Sequence, residues 1–407
     1  MQILVLDTIH GGSDIGAAFA AAGHSVDIVD VYRNTTPAAA ERACVRTYDL
    51  VVAPVHLDPA HLLLAGTKAP VISHHEAVRR LLGDQQLPAP MIEITGAQGK
   101  TTTAHALAHL MPGNGVLHTS AGTCTCPGYA IMWKKSITPA SVLAAAALAR
   151  QQQGWLIAEE SLGVTGVADL AIITSSKDYS CAAGRKQALA VKLASTERCR
   201  CLLLAPGIRI GDRKGVVHLE DVTSIVGDAC TITMYSRRFI IRNPLLEFPS
   251  YHTPLALAGT AAALLGIDPA PLATFAAIRG RMSVTKRAGI VVVDNANSGT
   301  NAATTVEAAG LARLEAGVPD LTLVIGTAPG DGAVCEGFPP DQIAAAIGQV
   351  RPDRIIWVGE ILQLPDIGGQ QTSWKIAARC ATLDEAYRLA LQETANGSVV
   401  LAVKMWR

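Results

Sequence analysis

The segment Met91–Ala104, MIEITGAQGKTTTA, decides how the chain folds around its most informative motif. It begins with the apolar strand MIEIT, turns at two glycines and continues into the helix KTTTAHALAHLM. A glycine-rich turn between a strand and a helix directs backbone N–H groups and the positive end of the helix dipole at a phosphate. The usual loop is G-x-x-x-x-G-K-[ST], whereas Gly96–Thr101 forms the shorter G-x-x-G-K-T. The segment predicts a nucleotide-phosphate site; the alternative is an ordinary turn with a solvated lysine.

Side chains around this loop predict a place for Mg²⁺. Lys100 is expected to reach the terminal phosphates and the Thr101 hydroxyl to join the Mg²⁺ shell, which needs further oxygen donors. Glu159 and Glu160 end the apolar strand GWLIA, at the edge where open α/β sheets bind ligands. Neighbouring strand side chains point to opposite faces, so only one should face the loop. For Glu160, a solvated charge at a strand end is the preferred interpretation. The predicted nucleotide-binding residues of the loop are Gly96, Ala97, Gln98, Gly99, Lys100, Thr101 and Thr102.

Outward from the loop, strand-like and helix-like segments alternate along the whole chain. A length of 407 residues suggests two to four domains of roughly 100–200 residues each. The alternation QILVLD, SDIGAAFAAAG, SVDIVDV predicts a small parallel sheet, and GDQQLPAP at residues 83–90 predicts a linker. We therefore predict three α/β domains: an N-terminal parallel-sheet, Rossmann-like domain (1–90), a central P-loop ATPase domain (91–283) and a Rossmann-like C-terminal domain (284–407).

Composition points to a cytoplasmic protein with a small-molecule partner. Basic and acidic residues balance at 34 each, which disfavours nucleic acid or anionic lipid as a partner. The N-terminus lacks the basic region of a signal peptide, and no apolar run approaches the ~20 residues that span a bilayer. An odd number of cysteines favours free thiols, and the close pairs favour small buried residues over metal ligands. The cysteines are Cys44, Cys124, Cys126, Cys181, Cys199, Cys201, Cys230, Cys335 and Cys380.

A series of further motifs follows the loop in a fixed order. They are SITPASVLAAAALA, LIAEESLG, IITSSKDYSCAAGRKQALAVKLA, HTPLALAGTAAALLGID, GRM and VVVDNANSGTN. Together with ITGAQGKTTTA, this series resembles the signatures of the Mur ligase family, whose phosphate loop has the short form. The resemblance spans about residues 91–310 by motif, and the three-domain layout extends it over the chain. It implies an ATP-dependent ligase that activates a carboxylate as its acyl phosphate, with ATP as co-substrate and Mg²⁺ as cofactor.

The resemblance also implies roles for individual residues. Lys100 and Thr101 match the family's phosphate and first-metal positions, and Glu159 matches the second-metal carboxylate. Lys192 matches a lysine that many members carry as a carbamate; the alternative is an exposed helical lysine. Catalytic roles would thus fall to Lys100, Glu159 and Lys192. Two further ATP contacts are implied: Arg281 in GRM, near the end of the predicted central domain, and Asp294 at a strand end of the predicted C-terminal domain, where the alternative is a capping charge.

Several positions depart from the family pattern. Gln98 stands where an asparagine is usual, and Asp178-Tyr179 replaces an Asp-His pair. Thr253 and Ala256 stand where the hinge helix usually has asparagines. Because a tyrosine hydroxyl is a poor Mg²⁺ ligand, these differences leave the second metal and the adenine contacts open and suggest a divergent branch.

The segments LVLDTIHGG, DLVVAPVHLDPA, ISHHEAV and ESLGVTGVADLAIITSSKDY are similar to the coenzyme F(430) synthetase branch of this family in methanogenic archaea. That resemblance implies a nickel tetrapyrrole substrate, whose propionate is activated and attacked by a carbon of the same macrocycle in coenzyme F(430) biosynthesis. One alternative is an amide ligase that adds an amino acid to a muropeptide-type or folylpolyglutamate-type acceptor. Another is a non-catalytic nucleotide-binding regulator. The expected assembly is a monomer or homodimer.

Histidines follow the N-terminal strands near the edge where ligands bind. Taken singly, each is interpreted as a capping or core residue, although several could line a cleft between domains. His74, His75 and Tyr179 are candidates for the base that removes a proton from carbon. The histidines concerned are His10, His56, His61, His74 and His75.

Overall fold

The computed structural model describes residues 1–33, 35–83, 85–328, 337–360 and 376–406, which form two compact units, Met1–Thr274 and Phe275–Arg407. No helix within these residues has the length and apolar character required to cross a membrane. Cys335 lies outside the described residues.

The N-terminal part of the first unit is a small parallel sheet with helices on both faces. Its elements are β1 Gln2–Leu6, α1 Gly12–Ala21, β2 Ser25–Val29, α2 Pro37–Val45, β3 Leu50–Ala53, α3 Leu62–Ala65, β4 Val71–Ser73 and α4 His74–Gly83. The strand order is β2-β1-β3-β4, and all neighbours are parallel. Ile3 and Val5 pack into one apolar cluster, whereas Leu4 and Leu6 pack into another. Burial on both faces explains why ILVL, at residues 3–6 of β1, is continuously apolar.

The central part of the first unit begins at the phosphate loop. Its elements are β5 Met91–Thr95, α5 Lys100–Leu110, β6 Gly115–Thr119, β7 Gly122–Cys126, β8 Ala130–Trp133, α6 Pro139–Gln151, β9 Trp155–Glu159, β10 Leu170–Ile173, β11 Ser180–Cys181, β12 Lys186–Gln187, α7 Ala188–Ser195, β13 Leu202–Leu204, β14 Val216–His218, α8 Leu219–Val222, β15 Thr223–Val226, β16 Ala229–Met234, β17 Arg237–Arg242 and α9 Pro249–Leu264, with 3-10 turns at Pro244–Glu247 and Ala270–Thr274.

The order of the central eight-stranded sheet positions the candidate site. Strands run in the order β14-β13-β10-β5-β9-β6-β7-β8, so β5 lies between β10 and β9. These three strands are parallel, and their carboxyl ends therefore flank the loop that follows β5. β7 and β8 extend the sheet as antiparallel edge strands, and β15, β16 and β17 form a separate antiparallel sheet.

The second unit contains a mostly parallel sheet. Its elements are β18 Ser283–Arg287, β19 Ile290–Asp294, α10 Ala302–Ala316, β20 Leu321–Thr327, α11 Pro340–Val350, β21 Arg354–Val358, β22 Ile376–Cys380, α12 Leu383–Glu393 and β23 Ser398–Lys404. In the described residues the order is β18-β19-β23-β20-β21-β22, with only the β18–β19 pair antiparallel.

The predicted α/β class with parallel sheets is confirmed. The division into three domains stays a prediction, since residues 1–274 form one compact unit. The hairpin of β7 and β8 was missed: β7, GTCTC, consists of small and polar residues, and β8, AIMW, is an apolar run of only four residues. Cys199 and Cys201 precede β13.

Candidate active site

The phosphate loop is fixed against the end of β10. Gly99 precedes α5 in the left-handed region, with φ 81°, and Gly96 has φ 150°. A Cβ atom at Gly96 would lie 2.1 Å from Thr174 Oγ1. The Thr174 hydroxyl donates to the Gln98 carbonyl oxygen at 2.5 Å, which holds the loop in place. Glycine is therefore required at position 96 for both conformational and steric reasons.

Gly96→Ala is expected to weaken ATP binding by at least about tenfold, because the loop must move away from Thr174. Gly113→Ala is a matched control: Gly113 has φ 72°, but no atom lies within 4 Å of an added Cβ. The control therefore measures the cost of the backbone conformation alone, roughly 1 kcal/mol. Isothermal titration with ATP and thermal unfolding should be measured on both variants. Equal ATP affinity in the two would contradict the steric argument.

Lys100, Thr101 and Glu159 meet at the start of α5. The Thr101 hydroxyl donates to Glu159 Oε2 at 2.8 Å, and Lys100 Nζ lies 3.7 Å from Glu159 Oε1. Lys100 Nζ also donates to the Gly96 carbonyl oxygen at 3.1 Å, so the ammonium lies over the loop. Ser120 contributes its backbone N–H to Glu159 Oε2 at 3.1 Å. Thr102, in the first turn of α5, is buried. The structure thus brings a cation, a hydroxyl and a carboxylate together beside the loop.

Glu160 lies elsewhere, and the preferred interpretation of it as a solvated charge is wrong. Its side chain is fully buried beside Glu93, which is also fully buried. Burial, followed by the negative charge of Glu93, raises the pKa of Glu160 well above its ordinary value. Glu93 accepts hydrogen bonds from the Thr165 hydroxyl and from the Gly166 backbone N–H at 2.9 Å. Glu159 and Glu160 therefore occupy different environments, as strand alternation predicts.

Lys192 is a buried amine, so the interpretation as an exposed helical lysine is wrong. Its side chain is 1 % exposed, and Nζ makes no hydrogen bond with the residues that the structure describes. Nζ lies 4.6 Å from the centroid of the Tyr179 ring. Burial, together with the positive charge of Lys100, lowers the pKa of Lys192 to about 8. Asp178 accepts from the Leu189 backbone N–H at 2.8 Å and so anchors the start of α7, which carries Lys192.

Arg281 and Asp294 both belong to the second unit. Arg281 Nη1 donates to Asn297 Oδ1 at 3.2 Å. Asp294 ends β19, and its Oδ1 accepts from the Ala296 backbone N–H at 3.1 Å. Asn297 also donates to the Gly280 carbonyl oxygen at 2.6 Å and so joins the two segments. Their predicted role in ATP binding stays a prediction.

Sequence reasoning missed two residues of the site, Ser120 and Thr174. The Ser120 hydroxyl lies 3.1 Å from Thr101 Oγ1, and Thr174 Oγ1 contacts the loop. Both residues directly follow a buried strand, β6 and β10 respectively. The rule that identified Glu159, a polar residue at the carboxyl end of a parallel strand, would have found them.

The candidate site offers hydroxyl and carboxylate oxygens to a cation. Thr101, Ser120 and Glu159 supply the hard donors that Mg²⁺ prefers, which fits the predicted metal position. Across the described ranges, no three His, Cys, Asp or Glu side chains come together as a metal-binding group. A cation here would therefore depend on phosphate oxygens and water for its remaining ligands.

His74 and His75 are core residues at the start of α4. Their Nε2 atoms lie 3.0 Å from the carbonyl oxygens of Leu6 and Ser161 respectively. Both rings are buried, and burial lowers the pKa of His74 to about 4 and that of His75 to about 3. His61 caps α3 by accepting from the Leu63 backbone N–H.

The buried His74 makes stability depend on pH. Because the folded pKa of about 4 lies below the unfolded value of 6.5, the unfolded chain binds more protons between these values. Stability should therefore fall as the pH drops from 6.5 to 4, by up to about 1.4 kcal/mol per pH unit. His74→Gln should flatten this part of the curve, measured by urea unfolding. His24→Gln, at the opposite edge of the same sheet, is the control; identical slopes in both variants would contradict the assignment.

Comparison with known proteins assigns the chain to a family. The family description "Coenzyme F430 synthetase CfbE, C-terminal domain" matches residues 284–405. The coenzyme F(430) synthetase of Methanosarcina acetivorans is 30% identical, with 89% of this chain and 91% of that protein aligned. The chain belongs to the coenzyme F(430) synthetase family. The enzyme of that name from Methanocaldococcus jannaschii is 25% identical over 47% of this chain and 49% of that protein.

Among solved structures, a ligand-free bifunctional folylpolyglutamate synthase/dihydrofolate synthase from Yersinia pestis shares the fold. The TM-score is 0.57 at 16% identity, over 82% of this chain and 92% of that one. The architecture is therefore the Mur-ligase-like α/β fold predicted from the motifs. Membership in the coenzyme F(430) synthetase family makes the chain an ATP-binding ligase of coenzyme F(430) biosynthesis.

Proposed function

We propose that the chain uses ATP to activate a propionate of a nickel seco-tetrapyrrole as its acyl phosphate and closes a carbocyclic ring by intramolecular carbon–carbon bond formation. The contact of Thr101 with Glu159 beside Lys100 is the observation that carries the phosphoryl-transfer half of the proposal. The substrate rests on the name of the Methanosarcina relative, which is 30% identical. The nickel belongs to the substrate.

In this proposal the loop and the first turn of α5 bind the terminal phosphates of ATP. Backbone N–H groups at a helix start favour anions, and Lys100 adds a full positive charge. A carboxylate is a poor electrophile until one of its oxygens becomes part of a good leaving group. The role of Lys100 is to stabilise the charge that spreads over the phosphoryl group as it moves to the substrate carboxylate.

Thr101 and Glu159 would hold a divalent cation, for which Mg²⁺ is proposed. When bound, that cation would neutralise phosphate charge. Lys192 is proposed to contribute to the same site as a carbamate. Its buried amine has no hydrogen-bond partner among the described residues, so it can react with CO₂. The carbamate would add carboxylate oxygens at a site where Tyr179 replaces the histidine that is usual in the family.

Ring closure requires few additional protein groups. The electrophilic acyl carbon and the nucleophilic carbon belong to one molecule, so the reaction gains from proximity. The protein would orient the two groups and exclude water, which would otherwise hydrolyse the acyl phosphate. No amino acid is consumed.

The decisive experiment incubates the protein with ATP, Mg²⁺ and the nickel seco-tetrapyrrole in the absence of amino acids. The proposal expects ADP, phosphate and a product lighter than the substrate by one water. ADP release only when an amino acid is added would instead support an amide ligase. Nucleotide binding without any ADP release would support a regulator.

A further inference from the structure

The N-terminal sheet carries a cluster of rings at the carboxyl ends of its strands. His10 follows β1, Tyr32 follows β2 and His56 follows β3. The ring of His10 lies 4.6 Å from that of His56 and 5.2 Å from that of Tyr32, between centroids. Tyr32 and His56 are stacked at 5.7 Å. The carboxyl edge of a parallel sheet is where α/β proteins bind ligands. The position of this cluster therefore favours a ligand-binding role over a role in core packing.

Asp7 fixes the orientation of His10. His10 Nδ1 lies 2.9 Å from Asp7 Oδ2, which also accepts the His10 backbone N–H at 3.0 Å. Asp7 is fully buried and has φ 93°, a left-handed conformation that aspartate adopts at a cost. Burial alone would raise the pKa of Asp7, but the hydrogen bonds from His10 and Ile9 outweigh it, and the net pKa is lowered. An ionised Asp7 accepts a hydrogen bond from Nδ1–H of His10 and so favours the tautomer with its proton on Nδ1.

This arrangement leaves Nε2 of His10 as the lone-pair nitrogen. Nε2 has no hydrogen-bond partner among the described residues, and the His10 side chain is 35 % exposed. The other histidines of this edge are less suitable as bases. Nε2 of His56 is buried. His74 and His75 are buried, with their Nε2 atoms directed at carbonyl oxygens. A carboxylate-held imidazole with one free, accessible nitrogen is the arrangement that general-base catalysis requires.

Two residues adjacent to the cluster in sequence contact the central part of the same unit. Next to His10, Gly11 packs on α6: an added Cβ would lie 2.5 Å from Ala140 Cβ. Next to His56, the Val55 carbonyl oxygen accepts from Lys186 Nζ at 3.1 Å. Lys186 lies in β12, directly before the helix that carries Lys192. The ring cluster therefore borders the central part of the unit that also carries the phosphate loop.

We propose that His10 is the base that removes the proton from the nucleophilic carbon during ring closure, that Asp7 is its positioning residue, and that the stacked rings of Tyr32 and His56 pack against the macrocycle. This inference rests on the proposed function. The macrocycle carbon attacks the acyl carbon, a C–C bond forms, and the C–O bond to phosphate breaks with its electron pair. His10 Nε2 then takes the proton of the macrocycle carbon that attacked, and the electron pair of its C–H bond returns to the conjugated system. No oxidant or reductant is needed.

The test separates activation from closure. Hydroxylamine traps an acyl phosphate as a hydroxamate, so activation can be measured in variants that cannot close the ring. His10→Gln should retain hydroxamate formation within about threefold of the wild type, while ring closure falls by about 10²-fold or more. His24→Gln, another half-buried histidine of the same sheet but at its opposite edge, should change neither rate. Closure at the wild-type rate, or equal loss of both steps, in His10→Gln would overturn the proposal.

Two further variants distinguish a base from a structural residue. His10→Ala should regain closure when imidazole is added to the buffer, and absence of rescue would count against a base role. Asp7→Asn keeps a residue that tolerates the left-handed conformation but no longer favours the Nδ1 proton. It should slow closure without slowing hydroxamate formation, and combining it with His10→Gln should cause no further loss; additive losses would overturn the coupling. If the wild type forms no hydroxamate at all, the proposed function itself fails.

Discussion

Replacement of Lys100 by alanine is expected to reduce ATP-dependent ADP release by about 10³-fold or more. Lys100 Nζ lies over the loop, 3.1 Å from the Gly96 carbonyl oxygen, where the terminal phosphates of ATP are proposed to bind. The ammonium would stabilise charge that develops on the phosphoryl group in transit, and no neutral side chain can replace that interaction. ADP release should be measured with the nickel seco-tetrapyrrole as acceptor.

The variant must be shown to fold. Glu159 is almost fully buried and loses the cation 3.7 Å away, but it keeps the hydrogen bonds from Thr101 and from the Ser120 backbone. Unfolding should therefore remain cooperative. Lys177→Ala removes an exposed lysine of the same unit and serves as the control. A Lys100→Ala protein that retains more than about a tenth of the wild-type rate would contradict the assigned role.

The sequence predicted this part of the site because the chemistry is local. A strand, two glycines, Lys-Thr and a helix are adjacent in the chain. The apolar strand GWLIA ends at Glu159, which predicts that this carboxylate lies at the ligand-binding edge of the sheet. Strand order was the missing information: β9 and β10 flank β5, and that order selects Glu159 and Thr174 as the residues that meet the loop.

Burial could not be predicted at the same level. Lys192 lies in ALAVKLAS, a sequence equally compatible with an exposed or a buried lysine, and only the packing of α7 excludes water from its amine. Glu160 looked like a surface charge because it follows a strand, yet it faces Glu93 inside the protein. The sequence placed His10 near the ligand-binding edge of the N-terminal sheet, but not its pairing with Asp7, because that pairing depends on the left-handed backbone conformation of Asp7, with φ 93°.

Lys192→Met is expected to reduce turnover by about 10²-fold or more and to abolish any response to bicarbonate. Methionine keeps a long, unbranched side chain in the buried position but cannot form a carbamate. Wild-type protein depleted of CO₂ should lose activity and regain it when bicarbonate is added. Lys177→Met, on the surface of the same unit, should respond as the wild type does. Intact-protein mass spectrometry at neutral pH should show an adduct of one CO₂ that the Lys192→Met variant lacks.

The pKa of Lys192 gives this prediction a pH dependence. CO₂ reacts with the neutral amine, and a pKa of about 8 leaves a far larger neutral fraction at pH 7 than the ordinary value of 10.5 would. Raising the pH from 7 to 8 should increase that fraction about fivefold, so recovery after CO₂ depletion should become faster. A wild type indifferent to bicarbonate, combined with an inactive Lys192→Met, would show that the lysine acts as a cation. An active Lys192→Met would remove it from the mechanism.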